Sequence, residues 1–349
     1  MKKKMLFIIN PISGTHDKSD MPGLIKENLD SEKFDYEIMF SQYPGNASEI
    51  ARKACRDGYD VIVAVGGDGT VNEVARSLVN TESALGVIPC GSGNGLARHL
   101  LLPMKPVKAI QILNLCEIHA LDYGTINGIP FFCTCGMGFD AVISQKFAEA
   151  GKRGPATYVE NVLREGLKYK PELYEIKDEN GVTSKTAFLI SCANASQYGN
   201  NAYIAPQASM SDGLMDVVIM EPFDVLDATQ ISIDMFNKTL DKSSKIKTFR
   251  TKSLHIHRQH EGVVHYDGDP VMMGQDIDVE LHQQGIRIVV NPLADKTRRQ
   301  PNLLQSTAAE WMNEISIIRE DLTKRQQRVL ALGKLLQRKF ISKNPLSDH

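Results

Sequence analysis

The 349-residue chain contains no apolar stretch near the roughly 18 residues of a membrane-spanning helix. Its start, with Met5–Ile9 behind three lysines, imitates an export signal. The apolar run is broken at Asn10-Pro11, well short of the roughly 7–15 residues such a signal needs. Charge of one sign is also missing: 40 Lys and Arg face 42 Asp and Glu, a formal net charge of −2. That balance argues against a dedicated nucleic-acid binder. Internal repeats and low-complexity segments are absent. The six cysteines are scattered, and the one close pair, Cys133 and Cys135, lacks a second pair or a nearby His to complete a zinc site. Strand alternation puts both thiols on one face, where they are expected to pack as small hydrophobes. The expected product is a cytoplasmic protein, soluble or peripheral at the membrane surface.

What is present first is strand–turn–helix alternation. Strands are expected at Met5–Ile9, Tyr36–Phe40, Val61–Val65 and Leu85–Ile88. Helices are expected over Pro22–Leu29, Asn46–Asp57 (with Asn46 as a capping residue) and Val71–Val79. This order predicts a parallel sheet covered by helices. From about Asp122 the texture becomes β-rich. Strands are expected at Tyr123–Ile126, Phe131–Cys135, Leu173–Lys177, Ala187–Ala193, Met215–Met220, Leu254–His257, Gly262–Tyr266, Asp278–Leu281 and Ile286–Val289. Two helical segments interrupt them, Ala141–Ala150 running towards Tyr169, and Phe223–Leu240. The fold class is therefore α/β plus all-β: an α/β domain over 1–122, a β-rich domain over 123–290 and a helical extension over 291–349.

Gly66-Gly67-Asp68-Gly69-Thr70 follows a buried strand and opens a helix. Glycines there let backbone N–H groups approach phosphate oxygens, and the helix N-terminus favours an anion. Asp68 is too acidic to be a phosphate ligand but suits Mg²⁺ or a substrate hydroxyl. An ordinary strand-to-helix turn is the plainer alternative. Two more turns, Ser13-Gly14 and Gly91-Ser92-Gly93-Asn94-Gly95, follow strands in equivalent places. Turns at the carboxyl ends of parallel strands converge on one crevice. Neither a Walker loop nor a Rossmann fingerprint is present.

These motifs, together with Asn10-Pro11, Val71-Asn72-Glu73, Leu96-Ala97-Arg98, Gly138-Phe139-Asp140-Ala141, Ala205-Pro206, Asp212-Gly213-Leu214 with Asp216, and Asp267-Gly268-Asp269, run in one order across about residues 5–292. In that order the chain resembles the diacylglycerol kinase catalytic-domain superfamily, which includes bacterial lipid kinases and sphingosine kinases. The resemblance implies an N-terminal α/β nucleotide domain and a C-terminal β-sandwich-like domain. It implies ATP contacts at Asn10, Ser13, Gly14, Ser41, Gly66, Gly67, Asp68, Gly69, Thr70, Val71, Asn72, Ser92 and Asp269. It implies Asp267 as proton acceptor, with Asp68 as its catalytic companion. Asp140 would meet the lipid head group, and Ser209, Asp212 and Leu214 would hold a structural Mg²⁺. A hairpin-turn role for Asp267, an N-cap role for Asp140 and a plain β-turn at 209–214 are the competing readings.

The chain departs from the family at several points. Asn94-Gly95 stands where many bacterial relatives have Asn-Asp, so one acid is missing. Thr15-His16 stands where relatives often place a Lys, for which Lys18 is a candidate substitute. Asp269 replaces the more usual Glu. Beyond the family core, a stripe from Trp311 to Phe340 recurs at three- and four-residue steps. It either packs on the protein or a second subunit, as in a homodimer, or lies on an anionic bilayer. His255 and His257 share a strand face without an evident third metal ligand and are expected to face solvent.

The leading expectation is Mg²⁺- and ATP-dependent phosphorylation of a lipid hydroxyl, on diacylglycerol or a sphingoid base. An NAD-kinase-like enzyme acting on a soluble substrate, and a non-catalytic lipid- or nucleotide-binding regulator, are the alternatives.

Overall fold

The computed structural model describes residues 2–12, 18–142, 166, 169–223 and 225–294. Ser13, Gly14, Thr15-His16, most of the expected 141–150 helix and the stripe beyond 300 lie outside the described residues. Met1–Ala294 form one compact unit.

Strands β1 (Lys3–Ile9), β2 (Phe34–Phe40), β3 (Val61–Gly66) and β4 (Ala84–Pro89) form a parallel sheet in the order β2-β1-β3-β4. The apolar runs of β1, β3 and β4 follow from burial on both faces, whereas β2 is the half-exposed edge strand. On β1, Leu6 and Ile8 join one core with Ala51 and Val74. The alternate residues Met5, Phe7 and Ile9 join another with Ile25 and Ile110. Helices α2 (Asn46–Arg56) and α3 (Asp68–Leu78) cover the first face. Helices α1 (Met21–Asn28) and α5 (Pro106–Leu115) cover the second, and a five-residue helix, α4 (Gly95–His99), lies between them in sequence.

Several expectations shift. Helix α3 begins at Asp68 rather than Val71, because Gly66, Gly67 and Gly69 disguise its first turn. Asn46 is the first helical residue of α2, and the cap position belongs to Gly45 at φ +88°. Helix α5, with Pro106 at its first position, was not foreseen.

The remaining strands are antiparallel and form the β part. They are β5 (Ile118–Ile126), β6 (Ile129–Phe131), β7 (Thr134–Gly138), β8 (Glu172–Asp178), β9 (Gly181–Ala187), β10 (Leu189–Ala193), β11 (Gln197–Gly199), β12 (Ala202–Tyr203), β13 (Met215–Met220), β14 (Ile246–Thr251), β15 (Ser253–Arg258), β16 (Gly262–Tyr266), β17 (Asp269–Met273) and β18 (Asp276–Val289). A six-stranded sheet, β14-β13-β10-β7-β16-β17, packs on the β18-β15-β8-β9 end of the larger sheet. Met137, Ile190, Val217, Tyr174, Ile256 and Ile277 meet in the core between them. Helix α6 (Val225–Asn237) adds Ile231 to a further cluster with Phe188 and Val218.

The two strands expected at 278–281 and 286–289 are one strand, β18, with an irregularity between His282 and Ile286. It pairs with β15 and β5, and at Ile288 with Leu85 of β4. One ten-stranded sheet therefore runs from the parallel part into the β part. The cysteine expectation is half corrected. Both thiols are buried, but Cys133 lies between β6 and β7 and joins the α/β core, while Cys135 joins the sandwich core. His255 and His257 do face solvent, their Nδ1 atoms 2.7 Å and 2.8 Å from Asp278 and Asp276 of β18.

Candidate active site

The glycine turns after β3 and β4 touch. A Cβ on Gly91 would lie 2.5 Å from the Gly67 Cα, and one on Gly93 would lie 2.7 Å from Asp68 Oδ2. Gly199 of β11, at φ +128°, closes against Gly93 with the same intolerance. Asn94, itself left-handed at φ +52°, ties its own turn: Oδ1 accepts from Gly91 N at 2.9 Å and Nδ2 donates to Gly91 O at 2.7 Å. Asp68 then clamps the two turns together. Its Oδ2 accepts from Asn94 N at 2.8 Å and its Oδ1 from Gly95 N at 2.6 Å. Burial raises the Asp68 carboxyl above its ordinary value, against these N–H groups and the charge of Arg98.

Other expected residues gather around this turn. Thr70 is buried against Gly66, and its Oγ1 accepts from Asn10 Nδ2 at 3.1 Å. The Lys18 ammonium, on a residue only 4% exposed, donates to Asn10 O at 2.8 Å. Ser41 is buried just past β2, its N–H bonded to Ile9 O at 2.9 Å. Ser92 and Gly69 are exposed, and a Cβ on Gly69 would meet open space. Val71 is different, because its side chain belongs to the core.

Gly95 explains itself in this setting. A Cβ there would lie 2.9 Å from the Tyr198 carbonyl oxygen. The backbone of β11 therefore occupies the space in which an acidic side chain at 95 would stand.

Asn72 reaches from α3 to the β part, its Nδ2 2.5 Å from Asp267 Oδ2. Asp267 and Gly268 are the two central residues of the β16–β17 hairpin, at φ +49° and +90°, as a tight hairpin of this length requires. Asp267 therefore does occupy a hairpin turn. Three consecutive N–H groups also donate to it: Phe132 at 2.8 Å, Cys133 at 2.6 Å and Thr134 at 3.1 Å. Burial nevertheless pushes its pKa up to about 6, against those bonds and the charge of Arg76. Asp269, more exposed, pairs with Arg76 at 3.6 Å.

Asp140, in the first helical turn after β7, is buried and pairs with His265 Nε2. Gly268 N lies 3.4 Å from the other ring nitrogen, Nδ1. His265 is itself buried. It lies on the face of β16 opposite Val264, which joins the sandwich core, and is buried there against Asp140, a partner that alternation does not reveal.

Ser209, Asp212 and Leu214 share one turn, but its hydrogen bonds run elsewhere. Gly213 N donates to the buried Asp122 at 2.9 Å. Leu214 N donates to Asp212 Oδ1 at 3.2 Å, and Arg250 Nη2 donates to Asp212 Oδ2 at 2.7 Å. The guanidinium also lies 3.3 Å from both Asp216 oxygens. Arg250 thus already pairs with the one carboxylate of the set. Among the described residues no group of three or more His, Cys, Asp or Glu has the arrangement of a metal cage.

Two family models match in tandem, the diacylglycerol kinase catalytic domain over residues 4–126 and the YegS C-terminal NAD kinase beta sandwich-like domain over 133–305. The chain belongs to the diacylglycerol kinase catalytic-domain superfamily. It is similar to the "Probable lipid kinase YegS-like" of Chromohalobacter salexigens, 28% identical over 65% of this chain and 75% of that protein. It is also similar to the "Lipid kinase YegS" of Escherichia coli K12, 26% identical over 71% of this chain and 84% of that one. A crystal structure of a diacylglycerol kinase from Bacillus anthracis shares the fold, with a TM-score of 0.66 at 21% identity over 83% of this chain and 97% of that one. No helix among the described residues is long and apolar enough to cross a membrane.

Proposed function

We propose that the protein transfers the γ-phosphoryl group of ATP to the hydroxyl of a lipid, diacylglycerol or a sphingoid base. The observation that carries this reading is the link between Asn72 and Asp267. Asn72 stands four residues beyond Asp68, roughly 6 Å along α3. One rigid helix thus begins at the phosphate cradle and, a turn later, holds a buried carboxylate.

In this reading the backbone N–H groups of residues 66–70 and 92–93 hold the nucleotide phosphates, with Lys18 and the positive end of α3 offsetting their charge. Asp68 is the residue that would hold a Mg²⁺ bound with ATP, which would supply neutralising charge for the transferring group. Asp267 takes the proton of the attacking hydroxyl as the new P–O bond forms and ADP leaves. A carboxyl with a pKa of about 6 is mostly ionised at neutral pH, yet more basic than an ordinary aspartate. Asn72 and the three N–H groups keep its oxygens aimed.

The test is incubation with radiolabelled ATP and a panel of extracted lipids in mixed micelles, with soluble acceptors in parallel. A labelled lipid is expected in wild type. Asp267→Asn should lower turnover by about 10²-fold or more while ATP binding stays nearly intact. Turnover retained in that variant would remove Asp267 from the role. Label confined to soluble acceptors, or ATP binding without any transfer, would defeat the lipid-kinase reading.

A further inference from the structure

Helix α3 presents a second side chain to the 266–269 turn. Arg76 follows Asn72 by four residues and so lies on the same face, one turn further on. Its guanidinium carbon sits 4.3 Å from the centre of the Tyr266 ring, and its Nη2 is 3.6 Å from Asp269 Oδ2. The side chain is 25% exposed, and its Nε and Nη2 are buried without a hydrogen-bond partner among the described residues. Burying guanidinium donors in this way costs free energy. The compensation is electrostatic: a ring face, the Asp269 carboxylate, and Asp267 close by.

We propose that Arg76 is a positioning residue for Asp267, a cationic clamp that docks the 266–269 turn on α3. Asn72 fixes one oxygen of the carboxylate, while Arg76 holds the flanking residues Tyr266 and Asp269 and supplies positive charge. The shorter arm of Asp269 fits the same picture, since the long arm of the pair comes from α3.

The other ionisable groups around the turn do not duplicate this role. Asp68 and Glu73 from α3 raise the neighbouring Asp269 carboxyl. The buried thiols Cys133 and Cys135 add no positive charge. His265 interacts with Asp267 and Asp269 but is committed to Asp140. Arginine alone in this group is charged at every relevant pH. Removing it should therefore make the Asp267 carboxyl harder to ionise.

The clamp rests on the proposed function only for the use made of Asp267, so its test does not need turnover. The protein is labelled with carboxyl-¹³C aspartate, and the Asp267 resonance is assigned by its loss in Asp267→Asn. Its titration midpoint, expected near the value of about 6 set by its surroundings, is followed by NMR. Arg76→Met should raise the midpoint by about one pH unit or more, and Arg76→Lys should stay within about half a unit of wild type. An unmoved midpoint in Arg76→Met overturns the clamp. If that variant does not fold, Arg76→Gln takes its place under the same criterion. A shifted midpoint in a protein that phosphorylates nothing would keep the clamp and sink the kinase reading. Lipid phosphorylation with an unmoved midpoint would do the reverse.

Discussion

Asp68 and Asp267 stand in the same dipeptide, Asp-Gly, yet their surroundings are built differently. Asp68 opens a helix and accepts N–H groups from one adjacent turn of the same α/β part. Asp267 caps a hairpin in a left-handed conformation and draws its donors from residues 132–134 and from Asn72, 195 positions away. The first turn is a piece of backbone whose glycines let strands end close together. The second is a carboxylate assembled from side chain and backbone of distant segments. The glycine turns should therefore fail through steric substitutions, and the Asp267 turn through changes in charge.

The largest effect is expected at Gly91. A methyl group there would stand 2.5 Å from the Gly67 Cα, backbone against backbone, with no flexible side chain to yield. Gly91→Ala should cost about 3 kcal/mol of stability, the upper end of overpacking, and weaken nucleotide binding with it. Denaturant unfolding and ATP titration read both. A variant of unchanged stability would show that the two turns are not in contact.

Asp267 should reveal itself through pH. Its folded-state value of about 6 lies above the ordinary 3.8, so the stabilisation belongs to the protonated carboxyl. It is fully present below about pH 4 and is lost as pH rises through about 6. Two pH units set a ceiling of about 3 kcal/mol. Asp267→Asn lacks this titration, so its stability relative to wild type should climb between pH 4 and 7 and then level. A flat difference, or one falling with pH, would mean that the hydrogen bonds outweigh burial.

The same contrast decides what was legible in the sequence. Strands β1, β3 and β4 are apolar runs, and glycine turns follow β3 and β4 directly, so those turns were readable almost residue by residue. Strand β9 was not: Val182-Thr-Ser-Lys185 is exposed on the sheet edge and carries no alternation. Strand β17 opens on Asp269-Pro270 and hides as a loop. Asp267 was found through its motif, but its donors could not be, because backbone N–H groups have no sequence signature. Arg76 left a faint trace in its four-residue spacing from Asn72. The partner of Asp212 in the 209–214 turn was hidden for a related reason, since Arg250 comes from a strand 38 residues away.

The smallest effect sharpens the comparison most. Gly69 shares the Asp-Gly step with Gly268, but it lies within α3 and a Cβ there would meet open space. On folding grounds alone, Gly69→Ala should stabilise the protein by about 0.5–1 kcal/mol, the helical advantage of alanine. If the turn is a phosphate cradle, that same methyl group faces the ligand and should weaken ATP binding. Thermal unfolding and ATP titration on one sample separate the two effects. Higher stability with weaker ATP binding is the expected signature of a glycine kept for its ligand, while higher stability with unchanged binding would move the phosphates away from α3.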